Sequence, residues 1–325
     1  MVTFAFSHET TRNIMTILVT GAAGFIGRAL CETLLRQGQD VVGVDSLNDY
    51  YSIRLKKERL QTLNCHKRFK FEKINLDDPS RVKKLFYNSD FSYVYHLAAQ
   101  AGVRLRPNEL DKYITSNINA FTNVINSSIA NSVPNFIYAS SSSIYGDADS
   151  KLLSEGFTSN FPTSYYGTTK LFNEHAARVL SVGTKTKTRG LRFFTVYGPM
   201  GRPDMAYFRI ATALLTSTEF NLFGDGNIRR DFTYIDDVTT SVILLGEQLN
   251  KLSNSHSDVV NVGGGRPQSM RELIQVTEEI TGRKLRIVAH PANSNDVKQT
   301  EADTRLIEEL TGFKPSVPIE EGMVK

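Results

Sequence analysis

Apolar residues along the chain gather in short β-branched or aromatic runs, separated by stretches with helical spacing. Runs at 16–20, 41–45, 69–74, 91–97, 136–140 and 188–194 read as buried strands. The segment up to Gly38, and those at 48–63, 79–86, 109–131 and 167–180, read as helices. Regular alternation of the two predicts an α/β fold with a doubly wound parallel sheet. Past Thr195 the pattern changes to a Gly- and Pro-rich loop at 197–203. Helices at 206–216, 238–249, 270–281 and 304–311 follow, with strands at 220–223, 259–262 and 285–289. We expect residues 15–194 to form the larger domain, with 234–263 returning to it. Residues 195–233 and 264–325 form a smaller α/β substrate-binding domain, and 1–14 read as an extension.

The formal charge of the 325 residues is only +4, and the basic positions are scattered. The densest run, Arg54 to Arg59, is broken by Leu55 and Glu58, which gives no footprint for nucleic acid. Cys31 and Cys65 fit neither a metal spacing nor a disulfide framework, so no metal is expected and a reducing cytoplasm suits them. No apolar run reaches membrane-spanning length, and the opening residues lack the pattern of a secretory leader.

Candidate chemistry begins at Gly21-Ala-Ala-Gly24-Phe25-Ile26-Gly27, between the first strand and the first helix. The first glycine permits the turn, the second a close approach to pyrophosphate, and the third helix-on-strand packing. The helix N-terminus offers unpaired N–H groups to the phosphates. Asp45 ends the second strand at fingerprint distance, where a carboxylate accepts from ribose hydroxyls and repels a 2′-phosphate. The arrangement is Rossmann-type and predicts NAD rather than NADP. Ala98 and Ala99, small residues after the fourth strand, let a cofactor lie against the chain. Arg104 or Arg106 could reach phosphate, with solvated arginines as the plain reading. At 75–77 a side chain could meet adenine or cap the next helix.

Tyr166-Gly-Thr-Thr-Lys170 places a phenol and an ammonium on one helical face, whereas Tyr165 leans off it. The ammonium is expected to lower the Tyr166 pKa toward the range of a general base. Ser140 to Ser143, with Tyr145, stand at the carboxyl end of a central strand, where open sheets carry their sites.

Taken in order, GAAGFIG, HLAAQAGVR, ASSSSIYG, YGTTK, LRFFTVYGPMGRPDM and RRDFTYIDD give the chain a resemblance from Met15 onward. It resembles the extended short-chain dehydrogenase/reductases, and within them the nucleotide-sugar epimerases. The resemblance implies Tyr166 as base, Lys170 on the nicotinamide ribose, and Ser141 as the hydroxyl relay. Ser142 and Ser143 would be substrate contacts. Thr195 stands where the family often has Asn near the diphosphate, Arg230 matches a diphosphate arginine, and Asp296 an acid near uridine. Asp231 would hold Arg230 or its own loop. The implied reaction inverts C4 of a UDP-sugar through a transient 4-keto sugar, on an NAD that stays bound. Ser142 and Ser143 replace the acids that related dehydratases and decarboxylases place there, so a uronate substrate is expected to keep its carboxylate. UDP-glucuronate going to UDP-galacturonate is the leading expectation, with UDP-glucose or UDP-N-acetylglucosamine as alternatives. A silent NAD-binding protein and a net oxidoreductase are the other classes. Arg202 is the candidate to hold the sugar's acidic end in a bidentate fork; its plain reading is a loop arginine bonded to carbonyls. Relatives commonly form homodimers through two helices of each subunit, here 109–131 and 167–180. Asn75, Phe161 and the stretch 294–296 depart from the family's usual residues.

Overall fold

The computed structural model describes residues 15–87, 89–103, 109–147, 152–157, 161–292 and 300–325. The 1–14 extension, Arg104, Arg106 and Asp296 lie outside the described residues. The larger part runs β1 (Thr16–Thr20), α1 (Phe25–Arg36), β2 (Asp40–Asp45), α2 (Ile53–Asn64), β3 (Phe69–Lys73), α3 (Pro79–Tyr87), β4 (Tyr93–His96), α4 (Asp111–Tyr113), α5 (Ala120–Ala130), β5 (Asn135–Ser141), β6 (Leu152–Leu153), α6 (Tyr165–Ser181) and β7 (Lys187–Phe193). Then come β8 (Thr195–Tyr197), α7 (Ala206–Thr216), β9 (Glu219–Phe223), β10 (Arg229–Tyr234), α8 (Ile235–Asn250), β11 (Ser257–Val262), β12 (Pro267–Ser269), α9 (Met270–Thr281), β13 (Arg286–His290), β14 (Glu301–Ala302), α10 (Arg305–Thr311) and α11 (Ile319–Val324).

Seven strands form one parallel sheet in the order β11-β7-β5-β4-β1-β2-β3. The order reverses between β1 and β4, so the loops leaving those strands diverge and open a crevice at their carboxyl ends. Alternation along each strand fills both faces. Ile17 and Val19 pack with Leu30 and Leu34 of α1 and with Val238 and Val242 of α8. Leu18 packs with Val82 of α3 and with Phe121 and Val124 of α5. Among the described residues no helix is long and apolar enough to cross a membrane.

The expected return of β11 to the sheet, beside β7, is observed. Three small sheets, β12-β10-β8, β13-β9 and β14-β6, lie outside it. Four strands of two or three residues, β6, β8, β12 and β14, are absent from the sequence reading because so short a run has no measurable period.

The single helix expected at 109–131 is interrupted. Ile114–Asn119 is π-helical, between α4 and α5. A π-turn widens the helix and re-aims one side chain. Here Asn117 is buried, accepts from the Gln100 amide at 2.7 Å and donates to the Thr169 hydroxyl at 3.0 Å.

Candidate active site

The crevice is a cleft of about 960 Å³, within the range of small-molecule sites. One end is built by the β1–α1 turn. Gly21 has φ +74°, and a Cβ there would meet the Ala98 backbone nitrogen at 2.9 Å; at Gly27 it would stand 2.1 Å from the Gly21 carbonyl oxygen. The turn therefore requires these glycines sterically. Gly24 caps α1 without a side-chain hydrogen bond, so no side chain covers the helix's first N–H groups, the donors a pyrophosphate takes. Asp45 closes β2 at the cleft wall. Its carboxylate accepts from the backbone of Ala23 at 3.2 Å and of Leu47 at 2.8 Å, which fixes it beside the turn. Phe25, Ile26, Ala98 and Ala99 complete this wall. A dinucleotide fits the residues present: close backbone, open helix N–H groups and a ribose acceptor lie along one groove.

Thr20 joins the two diverging loops. Its hydroxyl lies 2.9 Å from His96 Nδ1 and accepts from the Ala98 amide at 3.1 Å. Asn75 lines the cleft and also accepts from the Asp77 amide at 3.3 Å. The α3 cap is instead Asp78, which accepts from the amides of Ser80 and Arg81.

Ser141, Ser142, Ser143, Tyr166 and Lys170 meet in the middle of the cleft. Ser141 Oγ lies 3.1 Å from both the amide and the hydroxyl of Ser143. Ser140 turns the other way and donates to Glu174, which pairs with buried Arg192 at 2.8 Å. The serine run is thus split between a hydroxyl for the cleft and one for the scaffold. Ser164 caps α6 through the Gly167 amide at 3.0 Å. A Cβ on Gly167 would meet the Ser143 carbonyl at 2.6 Å, so the glycine lets the helix sit against the serines.

Tyr166 differs from expectation in how its acidity is set. Burial pushes the phenol above its ordinary value; the Arg202 guanidinium, and then a hydrogen bond with Ser141, pull it down. Arg202, rather than Lys170, is the leading charge that pulls it down. The Lys170 ammonium donates to the Ala139 carbonyl at 2.9 Å, lies 5.8 Å from the centre of the Tyr166 ring, and is pushed down to about 8 by burial.

The opposite end is built by loops from the small sheets. Thr195, Arg202 and Arg230 all line the cleft. Arg202 does not bond backbone carbonyls in the described contacts; it forks onto Asp204 at 3.1 and 2.5 Å. Arg230 donates to the Arg229 carbonyl at 3.0 Å. Asp231 accepts from the amides of Gly264, Gly265 and Ala302 at 2.8–2.9 Å, so it holds loops of the small sheets rather than Arg230.

Three positions here have no role assigned to them in the sequence reading. Asn117 ties the loop after β4 to α6. Tyr50 reaches Asp204 at 3.3 Å from the far side of the cleft. Arg59, fully buried on α2, donates to the carbonyls of Ala23, Met200 and Gly201 at 2.6–3.1 Å. All three act across long sequence separations.

This architecture and cleft define an NAD-dependent enzyme of the extended short-chain dehydrogenase/reductase type. Residues 17–263 match the NAD dependent epimerase/dehydratase family, and the chain belongs to it. Protein CapI of Staphylococcus aureus is 38% identical over 324 residues, covering 96% of this chain and 97% of that protein. UDP-glucuronate 4-epimerase 2 of Arabidopsis thaliana is 36% identical over 329 residues, covering 97% and 75% respectively. The crystal structure of UDP-glucuronic acid 4-epimerase from Bacillus cereus in complex with UDP-glucuronic acid and NAD superposes with a TM-score of 0.88. Identity there is 35%, over 95% of this chain and 96% of that one.

Proposed function

We propose that the protein inverts C4 of UDP-glucuronate to give UDP-galacturonate, on a resident NAD. The observation that carries the choice of a uronate is the position of Arg202. Its guanidinium acts on Tyr166 and lines the same cleft as Ser142 and Ser143. A planar cation sharing one cleft with neutral hydroxyls suits a carboxylate at C5.

Gly21, Gly24, Gly27 and the α1 N-terminus hold the cofactor's diphosphate, Asp45 its adenosine ribose, and Lys170 its nicotinamide ribose. Bound NAD supplies a reversible hydride acceptor. Tyr166 takes the proton from the sugar 4-hydroxyl, with Ser141 as the relay that holds it. The same groups return the proton when the 4-keto sugar presents its other face. Thr195, Arg230 and Asp296 hold the nucleotide diphosphate and uridine. A 4-keto uronate is a β-keto acid and loses carbon dioxide readily. Arg202, Ser142 and Ser143 bind its carboxylate, and the two serines are neutral where related decarboxylases and dehydratases place an acid.

We assign 15–194 with 234–263 to cofactor binding, and 195–233 with 264–325 to the nucleotide-sugar. A homodimer through α5 and α6 is supported by Tyr165, Phe172 and Val179. These are 40%, 40% and 71% exposed and seven residues apart, so they form one stripe on α6. Sedimentation giving a concentration-independent monomer would refute it. Two free cysteines suit a cytoplasmic enzyme, and its UDP-uronate product suits polysaccharide synthesis.

Purified protein incubated with UDP-glucuronate and no added NAD tests the reaction. Equilibration to UDP-galacturonate is expected. Absence of turnover, or a UDP-pentose product, overturns it.

A further inference from the structure

Arg202 is already engaged within the protein. Its Nε donates to Asp204 Oδ1 at 3.1 Å and its Nη2 to Oδ2 at 2.5 Å, a side-on fork. The Asp204 carboxylate also accepts from the Tyr50 hydroxyl at 3.3 Å, across the cleft. Gly102 leaves room for the Tyr50 ring, because a Cβ there would fall 2.3 Å from its hydroxyl. Tyr50, Gly102, Arg202 and Asp204 line the same cleft as Tyr166. A carboxylate of the protein thus occupies one edge of a guanidinium that lines the reacting cleft.

We infer that Asp204 is a specificity-setting positioning residue: a built-in counter-carboxylate that orients Arg202 and weakens its hold on the carboxylate of a UDP-uronate. The inference rests on the reading of the substrate as a uronate. Two consequences follow from charge alone. A substrate carboxylate that shares Arg202 with Asp204 meets a like charge within a few ångströms, which opposes binding. A neutral hexose meets no such repulsion. Asp204 therefore narrows the preference for uronates over hexoses. It also leaves the uronate loosely enough held to turn between its two orientations during epimerisation. The same carboxylate offsets the positive charge that favours the Tyr166 phenolate, so Asp204 acts on two properties through one guanidinium.

The test is Asp204→Asn in the NAD-loaded enzyme. The amide oxygen can still accept from one of the two Arg202 donors, so one arm of the fork is kept while the charge is removed. Dissociation constants for UDP-glucuronate and UDP-glucose are measured by titration, together with the pH profile of kcat. UDP-glucuronate binding should tighten about threefold or more, with the salt dependence of a charge effect. UDP-glucose binding should not change, and the acid limb of the profile should move to lower pH. Unchanged or weaker UDP-glucuronate binding overturns the inference, as does a parallel change for both ligands. Should Asp204→Asn fail to fold, Asp204→Gln offers an amide acceptor to Arg202 without the charge and must show the same selective gain. The wild-type enzyme provides the separate control: failure to bind or turn over UDP-glucuronate overturns the uronate reading itself. A wild type that works beside an unselective variant overturns the Asp204 inference alone.

Discussion

Lys170 donates to the main-chain carbonyl of Ala139 at 2.9 Å, across from the Tyr166 ring. The bond ties the ammonium to β5, one residue before the serine run. Burial lowers its pKa from 10.5 to about 8, so the charged form costs stability at neutral pH. The unfolded chain holds this proton up to about 10.4, the folded one only to about 8. Stability from this group therefore rises as pH climbs between those values. Lys170→Met should lose at least about 100-fold in kcat. At pH 7 it should melt no lower than wild type, and its advantage should shrink toward pH 10. Calorimetry of both proteins in the same cofactor state checks this; a variant destabilised at pH 7 contradicts it.

Tyr166→Phe should abolish proton transfer and leave the cleft intact. The expected loss is about 10² to 10⁴ in kcat, with UDP-sugar affinity within a few-fold of wild type. Arg202→Gln tests how the phenol's acidity is set. Arg202 is the leading influence that lowers the Tyr166 pKa, so its removal must move the acid limb of the pH–rate profile upward. An unmoved limb would mean that another charge, such as the cofactor's own, sets the value.

Much of this site is written locally. The β1–glycine–α1 unit is legible because a β-branched run, a glycine turn and an amphipathic helix are contiguous. Tyr166 and Lys170 are legible because helical spacing alone puts them on one face. The serines are legible as to place, but the split between Ser140 and Ser141 is not. That split depends on Glu174 and Arg192, which approach only once α6 and β7 pack on β5. Asp204 and Arg202 are neighbours in sequence, yet their ion pair depends on a loop whose path Arg59 fixes from a helix 141 residues away. Nor does periodicity reveal the π-turn at Asn117, because one added residue barely disturbs the apolar spacing.

Arg59 gives the next prediction. It links the cofactor turn at Ala23 to the loop at Met200 and Gly201, where Met200 has φ +59°. Arg59→Met keeps the aliphatic stem but leaves three carbonyls without their donor. A loss of at least about 2 kcal/mol is expected, since buried acceptors left unmet cost about 1–3 kcal/mol each. Added NAD should recover part of the lost melting temperature by mass action. A variant with wild-type stability and tightly retained NAD would show that the clamp is dispensable.

His96 makes the fold sensitive to acid. It sits at the end of β4, buried, with Nδ1 2.9 Å from the Thr20 hydroxyl and its ring against Phe121 and Phe136. Burial first, and the nearby Lys170 charge second, push its pKa down from 6.5 to about 3. The folded protein therefore holds His96 neutral, while the unfolded chain takes up the proton below about 6.5. Its contribution is complete above that value and is lost as pH falls toward 3. From pH 7.5 to pH 5 the penalty amounts to about 2 kcal/mol for one group. His96→Gln keeps a polar partner for Thr20 and cannot titrate. Urea unfolding at the two pH values should show wild type losing about 2 kcal/mol more than the variant. Equal losses would mean that carboxylates elsewhere, and not this ring, set the acid limit.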